Sequence, residues 1–461
     1  MSPPSRILFV ALHHSIHTAR WIDMIADFGF DMHMFPIDQG EPHHKLRGLT
    51  LHRPMLGEIP GAAASPPPPI GPQMSVAARV RRFARLAASN PREAGARVIT
   101  RWKESAPTAP PPRAEGLRTR SVPVIMGPGT DPEARIQLGH AGESEASADP
   151  LHGPAALASI IRDLRPDLIH SMEFQHAGYL VLAARDLMLR DGPGSAFPRW
   201  LATNWGSDIY HFGKDPAHAR QIRRLCETID LYSCECHRDL DLGRSFGYRG
   251  PALPVLPNSG GMDFAHVLSL RDQAPPSRRK LIMVKGYDHF AGRAMVSLAL
   301  LERFAPRLKG YTIVLFSVGG RPRARALELA ATGILDIKVI DWGTHDEILS
   351  YFGRARIYLG ISLSDAISTS VLEAMAMGAF PIQTNTSCCE EWFVPGKTGF
   401  AIPPDDFEVI CDRFGAALSD DALVDQAAEV NLDIVRSRLA IEVLRPKMQE
   451  FYARALAYAS R

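Results

Sequence analysis

Ile357-Tyr-Leu-Gly-Ile361-Ser-Leu-Ser-Asp365-Ala-Ile-Ser-Thr-Ser370-Val-Leu-Glu373-Ala-Met-Ala-Met-Gly378-Ala-Phe-Pro-Ile382 is the stretch on which the fold turns. Apolar residues 357 to 361 have the length and β-branched content of a buried strand, and a polar loop follows. Ser368, Thr369 and Ser370 place a helix N-terminus there, because hydroxyl side chains satisfy the free N–H groups of a first turn. Gly378 ends the helix, and Phe380 to Ile382 begins another strand. Strand, loop, helix and strand in this order make a parallel β-α-β unit. Its helix N-terminus, with the dipole behind it, is a site for a phosphate. Asp365 sits in the loop above that terminus and Glu373 about one turn inside the helix. Two carboxylates at one rim suit hydrogen bonds from sugar and ribose hydroxyls around a bound diphosphate.

The same alternation extends outward. Leu281 to Val284, Thr312 to Phe316, Ile337 to Ile340, Ile357 to Ile361 and Phe380 to Ile382 are near-continuous apolar runs separated by helical patterns, which predicts a parallel sheet covered on both faces. A second α/β region precedes it: Ile7 to Leu12 reads as a strand, Ile22, Ile25 and Ala26 as a helix face, and Phe30, Met32 and Met34 as an alternating strand. Leu157, Ile160, Ile161 and Leu164 then lead to the strand-like Asp167 to His170. The expected architecture is α/β, with two doubly wound Rossmann-like domains facing each other across a cleft. The expected boundaries are 1–264, with a Pro-rich insertion at about 55–150; 265–440; and a C-terminal helix, 441–461, crossing back onto the first domain.

Composition narrows the function classes. In 461 residues, 46% hydrophobic and 22% charged, the formal net charge is only +2, which argues against a dedicated nucleic-acid binder. Residues 74 to 120 are the exception, with eleven Arg or Lys against three Glu. Val76, Val80, Phe83 and Leu86 share a face there with arginines around them, a pattern suited to an anionic membrane surface as well as to a solvated basic loop. Six irregularly spaced cysteines give no secreted disulfide framework and point to a reducing cytoplasm, while the basic 74–120 segment suggests peripheral association at the inner face of the membrane. Cys234-Glu-Cys236-His237 lacks the second pair of a structural zinc site, so no metal is assigned. The six-residue run after Arg6 is too short for a signal core or a span.

The acidic stretch resembles the E-x7-E region of retaining nucleotide-sugar glycosyltransferases of GT-B fold, family four of that enzyme class, read here as Asp365-x7-Glu373. Downstream, Glu390-Glu-Trp392 to Gly396-Lys-Thr-Gly399-Phe-Ala-Ile-Pro403 resembles the family's acid-x4-G-x2-G-x4-P stretch. Upstream, Thr203-Asn-Trp-Gly206-Ser-Asp208 resembles its T-x-H-G-x-D loop, with Trp205 in the histidine's place, and Leu256-Pro-Asn258-Ser-Gly-Gly-Met-Asp263 its P-N-G-V-D handover. Asp341-Trp-Gly343 with His345-Asp-Glu347 is similar to the loop before the acidic strand.

The resemblance implies transfer of a sugar, with retention, from a nucleoside-diphosphate sugar to a glycan, lipid-linked or small-molecule hydroxyl acceptor, in envelope polysaccharide or glycolipid synthesis, without a metal. It implies Glu373 on the ribose, Asp365 on the donor sugar, and Ser368, Thr369 and Ser370 near the phosphates. Lys285, beside Gly286, and Arg293 would neutralise the diphosphate, although the order of the family's Gly-Arg and Lys-Gly is exchanged here; Gly319-Gly-Arg321 is a lesser candidate. Asn204 and Asp208 would line the donor side. Among His13, His14 and His17, His17 is the first choice as acceptor base or phosphate contact, and Glu173 with His176 stands over the same cleft. Two rivals remain at this point: a catalytically silent GT-B module that binds a nucleotide sugar or glycan, and a sugar-nucleotide epimerase or glycan phosphorylase on the same fold.

Overall fold

The computed structural model describes residues 3–38, 41–56, 118–124, 153–190, 197–341 and 343–458. The fold is α/β with GT-B architecture: two parallel sheets flanked by helices, with a cleft between the halves. The first sheet contains β1 (Arg6–Ala11), β2 (Asp31–Pro36), β3 (Thr50–Leu56), β4 (Arg118–Val124), β5 (Leu168–Met172), β6 (Arg199–Thr203) and β7 (Leu231–Ser233). Its spatial order is β4-β3-β2-β1-β5-β6-β7. The second half has β8 (Leu281–Lys285), a short antiparallel ribbon of β9 (Asp288–His289) and β10 (Gly292–Arg293), then β11 (Thr312–Phe316), β12 (Asp336–Ile340), β13 (Ile357–Gly360), β14 (Phe380–Thr384) and β15 (Phe400–Ile402). Its sheet runs β12-β11-β8-β13-β14-β15.

In each sheet the chain winds outward from a central strand in one direction and then in the other. The reversal lies between β1 and β5 in the first sheet and between β8 and β13 in the second. Loops leaving neighbouring strands diverge at such points and leave a crevice at the carboxyl ends, the usual ligand position in open α/β sheets. Lys285 ends β8 and Asp365 follows β13. Residues 13 to 17 follow β1, and Glu173 follows β5. Both crevices therefore receive polar side chains from predictable positions.

The apolar runs form strands because both sheet faces are covered: Ile282, Met283, Val284, Ile313, Val314 and Leu315 are fully buried. The helix Thr369–Met377 is buried nearly all round and ends at Gly378, whose φ of +84° favours glycine. The sequence reading misses β3, β4, β6, β7, β9, β10 and β15, of which the first two fall in or beside the insertion. Thr50–Leu56 and Arg118–Val124 pair in parallel at the sheet edge, so the range 55–150 contains sheet as well as low-complexity sequence. Pro54 and Pro123 hide the pattern: Pro123 is on the edge strand β4, and Pro54 lies in β3 beyond the two residues that pair with β2. The amphipathic basic pattern of residues 76 to 86 lies outside the described residues.

The C-terminal helix Ile441–Ala457 packs against the helix Ile16–Ile25 of the first half. Its Tyr452 hydroxyl accepts from Trp21 Nε1 at 2.8 Å and meets His170 Nδ1 at 2.9 Å, while His170 Nε2 bonds Thr203 Oγ1 at 2.7 Å. His170 is fully buried, and burial lowers its pKa from 6.5 to about 3. The folded state therefore refuses a proton that the unfolded chain accepts. Stability is complete above pH 6.5 and declines as pH falls from there toward 3. At pH 5 this group alone removes about 2 kcal/mol, and His170→Gln is expected to flatten that part of the pH dependence of the urea midpoint.

Candidate functional site

Lys285 Nζ lies 3.4 Å from Asp365 Oδ2 and 3.4 Å from Ser368 Oγ, with the Tyr287 ring centroid 5.2 Å away. Gly286 lets the chain turn away directly after the lysine: its N–H bonds Phe316 O at 2.8 Å, and a Cβ would meet Val318 at 2.5 Å. Burial is the largest influence on the Lys285 ammonium and pulls its pKa down. The Asp365 carboxylate, then Tyr358 and Tyr287, outweigh it, and the net direction is upward. The lysine is thus a fixed cation in the switch-point crevice of the second sheet.

Ser368 is the N-cap of the helix Thr369–Met377 but makes no side-chain capping bond, its hydroxyl facing Lys285 instead. Thr369 and Ser370 form the first turn and are partly exposed. The structure brings Lys285, Asp365, Ser368, Thr369 and Ser370 together at one helix end. Glu373, only 6% exposed, stands one turn further on and faces the first half. Its Oε1 lies 2.7 Å from His345 Nε2 and 3.8 Å from Arg20 NH2, while Arg20 NH2 is 2.8 Å from His345 Nε2. Arg20 comes from the helix Ile16–Ile25 and His345 from the first turn of the helix His345–Arg354. Neither was assigned a role from the sequence, since nothing local marks a carboxylate partner drawn from another element.

His17 completes the site from the first half. Burial, then Arg20, lowers its pKa from 6.5 to about 4, against the opposing pull of Asp365 and Glu373. It is neutral at pH 7 and packs on Trp205, with ring centroids 5.6 Å apart. Trp205 thus occupies the loop position where the resembling family has histidine, and a histidine from the first loop lies against it. The loop itself touches the opposite half: a Cβ on Gly206, φ +90°, would come within 2.2 Å of Ala366 N, and Ser364 Oγ bonds Ser207 Oγ at 2.9 Å.

Other candidates are held differently. The Arg293 guanidinium bonds Pro404 O at 2.6 Å and Asp405 Oδ1 at 2.7 Å, and its backbone N–H bonds Ile361 O at 2.7 Å. These contacts fasten the β9–β10 ribbon to β13 and to the loop after β15. Asn204 is fully buried, donating to Asp239 Oδ2 at 2.7 Å and accepting from the Tyr232 hydroxyl at 2.6 Å. Asp208 accepts from Trp205 N at 2.8 Å and Phe174 N at 3.0 Å, and burial, with Glu173 nearby, pushes its pKa well up. Both shape the Thr203–Asp208 loop from beneath and bond protein partners.

Glu173, at φ +79°, turns its carboxylate onto the N–H groups of Gln175 and Ala177 at 3.1 and 2.7 Å, capping its own turn, and its charge raises the pKa of His176. His13 and His14 both direct Nδ1 at Asp38. Arg321 pairs with Asp288 at the surface.

Residues 290–420 match the family model described as glycosyl transferases group 1, and residues 136–234 match glycosyl transferase 4-like. No curated protein matches the chain. Among solved structures, sucrose-phosphate synthase from Thermosynechococcus elongatus is similar with a TM-score of 0.63 at 13% identity, over 99% of this chain and 100% of that one. HepE of Anabaena, solved with UDP-glucose, gives 0.58 at 12% identity over 97% and 99%. A glycosyltransferase from Rickettsia africae gives 0.55 at 12% identity over 99% and 100%. At such identities the likeness speaks for the fold, and the family matches speak for the chemistry. With one match in each half and the GT-B architecture around them, the chain is a glycosyltransferase of the GT-B type.

Proposed function

We propose that the chain transfers a glycosyl group from a nucleoside-diphosphate sugar to a hydroxyl acceptor with retention of configuration. The observation that carries this reading is the Lys285 ammonium held against the first turn of the helix Thr369–Met377, with Asp365 above that turn and Glu373 one turn below it. A diphosphate placed there meets a cation and helix N–H groups as its charge grows, the form of stabilisation that acts most on the transition state. Asp365 would accept from hydroxyls of the donor sugar and Glu373 from those of the ribose. The bond from the anomeric carbon to the diphosphate breaks, the acceptor oxygen bonds the same face, and its proton passes to the departing phosphate oxygen. His17, neutral at pH 7, can accept a hydrogen bond there without adding charge.

HepE is solved with UDP-glucose, which makes a UDP-sugar the first donor to try. The acceptor is proposed as a lipid-linked or polysaccharide hydroxyl at the inner membrane face, reached through the basic residues 74 to 120. No helix among the described residues is long and apolar enough to cross a membrane. One observation favours the silent module: Arg293 is engaged by Asp405, which leaves Lys285 as the cation at the helix end. Purified chain incubated with UDP-, GDP-, ADP- and TDP-sugars decides between them. Slow release of one nucleoside diphosphate, accelerated by an acceptor, is the expected result; binding of a donor with no release supports the module.

A further inference from the structure

Cys236 precedes the helix His237–Ser245 in the first half, and Cys388 lies in the loop after β14 in the second. They are 152 residues apart in sequence, yet their sulfurs approach to 2.9 Å across the cleft. Cys236 is fully buried, and Cys388 is the more exposed of the two, in a left-handed conformation with φ +48°. The surrounding contacts between the halves are polar and reversible. Arg238 donates to Thr386 O and to Asp365 O, each at 2.8 Å, and Glu391 accepts from His237 N at 2.9 Å. Asp365 N in turn bonds Thr386 O at 3.4 Å. The thiol pair therefore stands where the two halves touch, one hydrogen bond from the loop that carries Asp365.

We propose that Cys236 and Cys388 form a reversible disulfide that locks the two halves together and stops turnover. The gap to close is about 0.9 Å, since a disulfide bond is about 2.05 Å long, a movement within reach of side-chain rotation. The oxidant is a small-molecule disulfide. The Cys388 sulfur attacks one of its sulfurs, the small S–S bond breaks, and one thiol leaves with the Cys388 proton. The Cys236 sulfur then attacks Cys388 of the mixed disulfide, and the second thiol leaves with the Cys236 proton. Two electrons pass from the protein thiols to the small disulfide, which becomes two thiols.

The resting pair is reduced. The Cys388 thiol beside it, and burial, hold the Cys236 pKa well above the ordinary range, so Cys388 is the entering group. Asp239 lies close enough to join the two sulfurs around a metal ion. Its oxygens are already taken, Oδ1 by Arg238 at 2.9 Å and Oδ2 by Asn204 at 2.7 Å, which favours a dithiol. The physical consequence follows from where the bond lies. Donor entry and diphosphate release need the cleft to open, and a covalent bond where the halves touch holds it shut where hydrogen bonds yield.

The test uses the full chain treated with oxidised glutathione and then with dithiothreitol, with peptide mapping of cross-links and donor turnover read on the same samples. The expected result is a peptide joining Cys236 to Cys388 and a loss of turnover, both reversed by the reductant. Cys236→Ser and Cys388→Ser should keep their turnover under oxidation, and Cys389→Ser should lose it as the wild type does. The effect on turnover rests on the transferase reading, and the cross-link does not. A cross-link in a chain that turns over no donor supports the bond and counts against the transferase. Cysteines 236 and 388 left reduced, or joined to other cysteines, overturn the proposal. So does full turnover in fully cross-linked protein, or a zinc ion recovered with the purified chain and lost in Cys388→Ser.

Discussion

Glu373→Ala is expected to lower kcat/KM for the donor by about 10²- to 10³-fold, with the larger part in KM. The carboxylate is buried at the cleft wall, and its Oε1 meets His345 of its own half at 2.7 Å and Arg20 of the first half at 3.8 Å. If two ribose hydroxyls donate to it, each charge-assisted bond contributes about 1.5–2 kcal/mol, and losing both gives the stated range. Truncation also leaves Arg20 facing His345 with no anion between them, which disfavours closure of the two halves. Glu373→Gln separates these effects. It keeps the shape and an oxygen for His345 while removing the charge, so its donor KM should lie between those of wild type and alanine. Calorimetric donor binding beside steady-state kinetics makes the comparison. A donor KM within about twofold of wild type in Glu373→Ala would remove the ribose role, because even one lost charge-assisted bond exceeds that.

What could be read from the sequence follows chain proximity. Five of the six strands of the second sheet are legible because short, near-continuous apolar runs, repeated between helical patterns, have few other solutions. Asp365, Ser368 and Glu373 lie within nine residues, and one strand–loop–helix unit positions them all. Lys285 is legible because it closes an apolar strand, where a charge must face the crevice. Arg20 and His345 are not, since they meet Glu373 only when three separate elements converge, and no spacing encodes that. The Cys236–Cys388 approach is hidden for the same reason. Asn204 and Asp208 show a different limit. Their loop does reach the cleft, at Gly206 and Trp205, but the two polar side chains turn inward to satisfy Tyr232, Asp239 and backbone N–H groups. A motif states which loop matters, and burial decides which of its side chains can touch a ligand.

Lys285→Ala is expected to reduce kcat by about 10²- to 10³-fold while changing donor KM much less, the reverse of the Glu373 pattern. A cation facing the bridging and terminal oxygens of a diphosphate gains most as the glycosidic bond lengthens and charge moves onto the leaving group, so its removal is felt in the transition state more than in the bound donor. Asp365, which lies 3.4 Å from the ammonium, would also lose its counter-charge and turn more freely in the loop. Lys285→Arg tests whether charge alone suffices. The planar guanidinium is longer and needs room among Asp365, Ser368 and the Tyr287 ring, so recovery should be partial, about tenfold above alanine. The pH profile supplies a further check. Because the pKa of Lys285 is held above its ordinary 10.5, despite the downward pull of burial, the lysine remains charged through the working range. The ratio of wild-type to alanine kcat should therefore stay constant between about pH 6 and 9. A ratio that collapses toward one as pH rises through 8 would mean that wild-type Lys285 loses its proton there, which the Asp365 contact forbids.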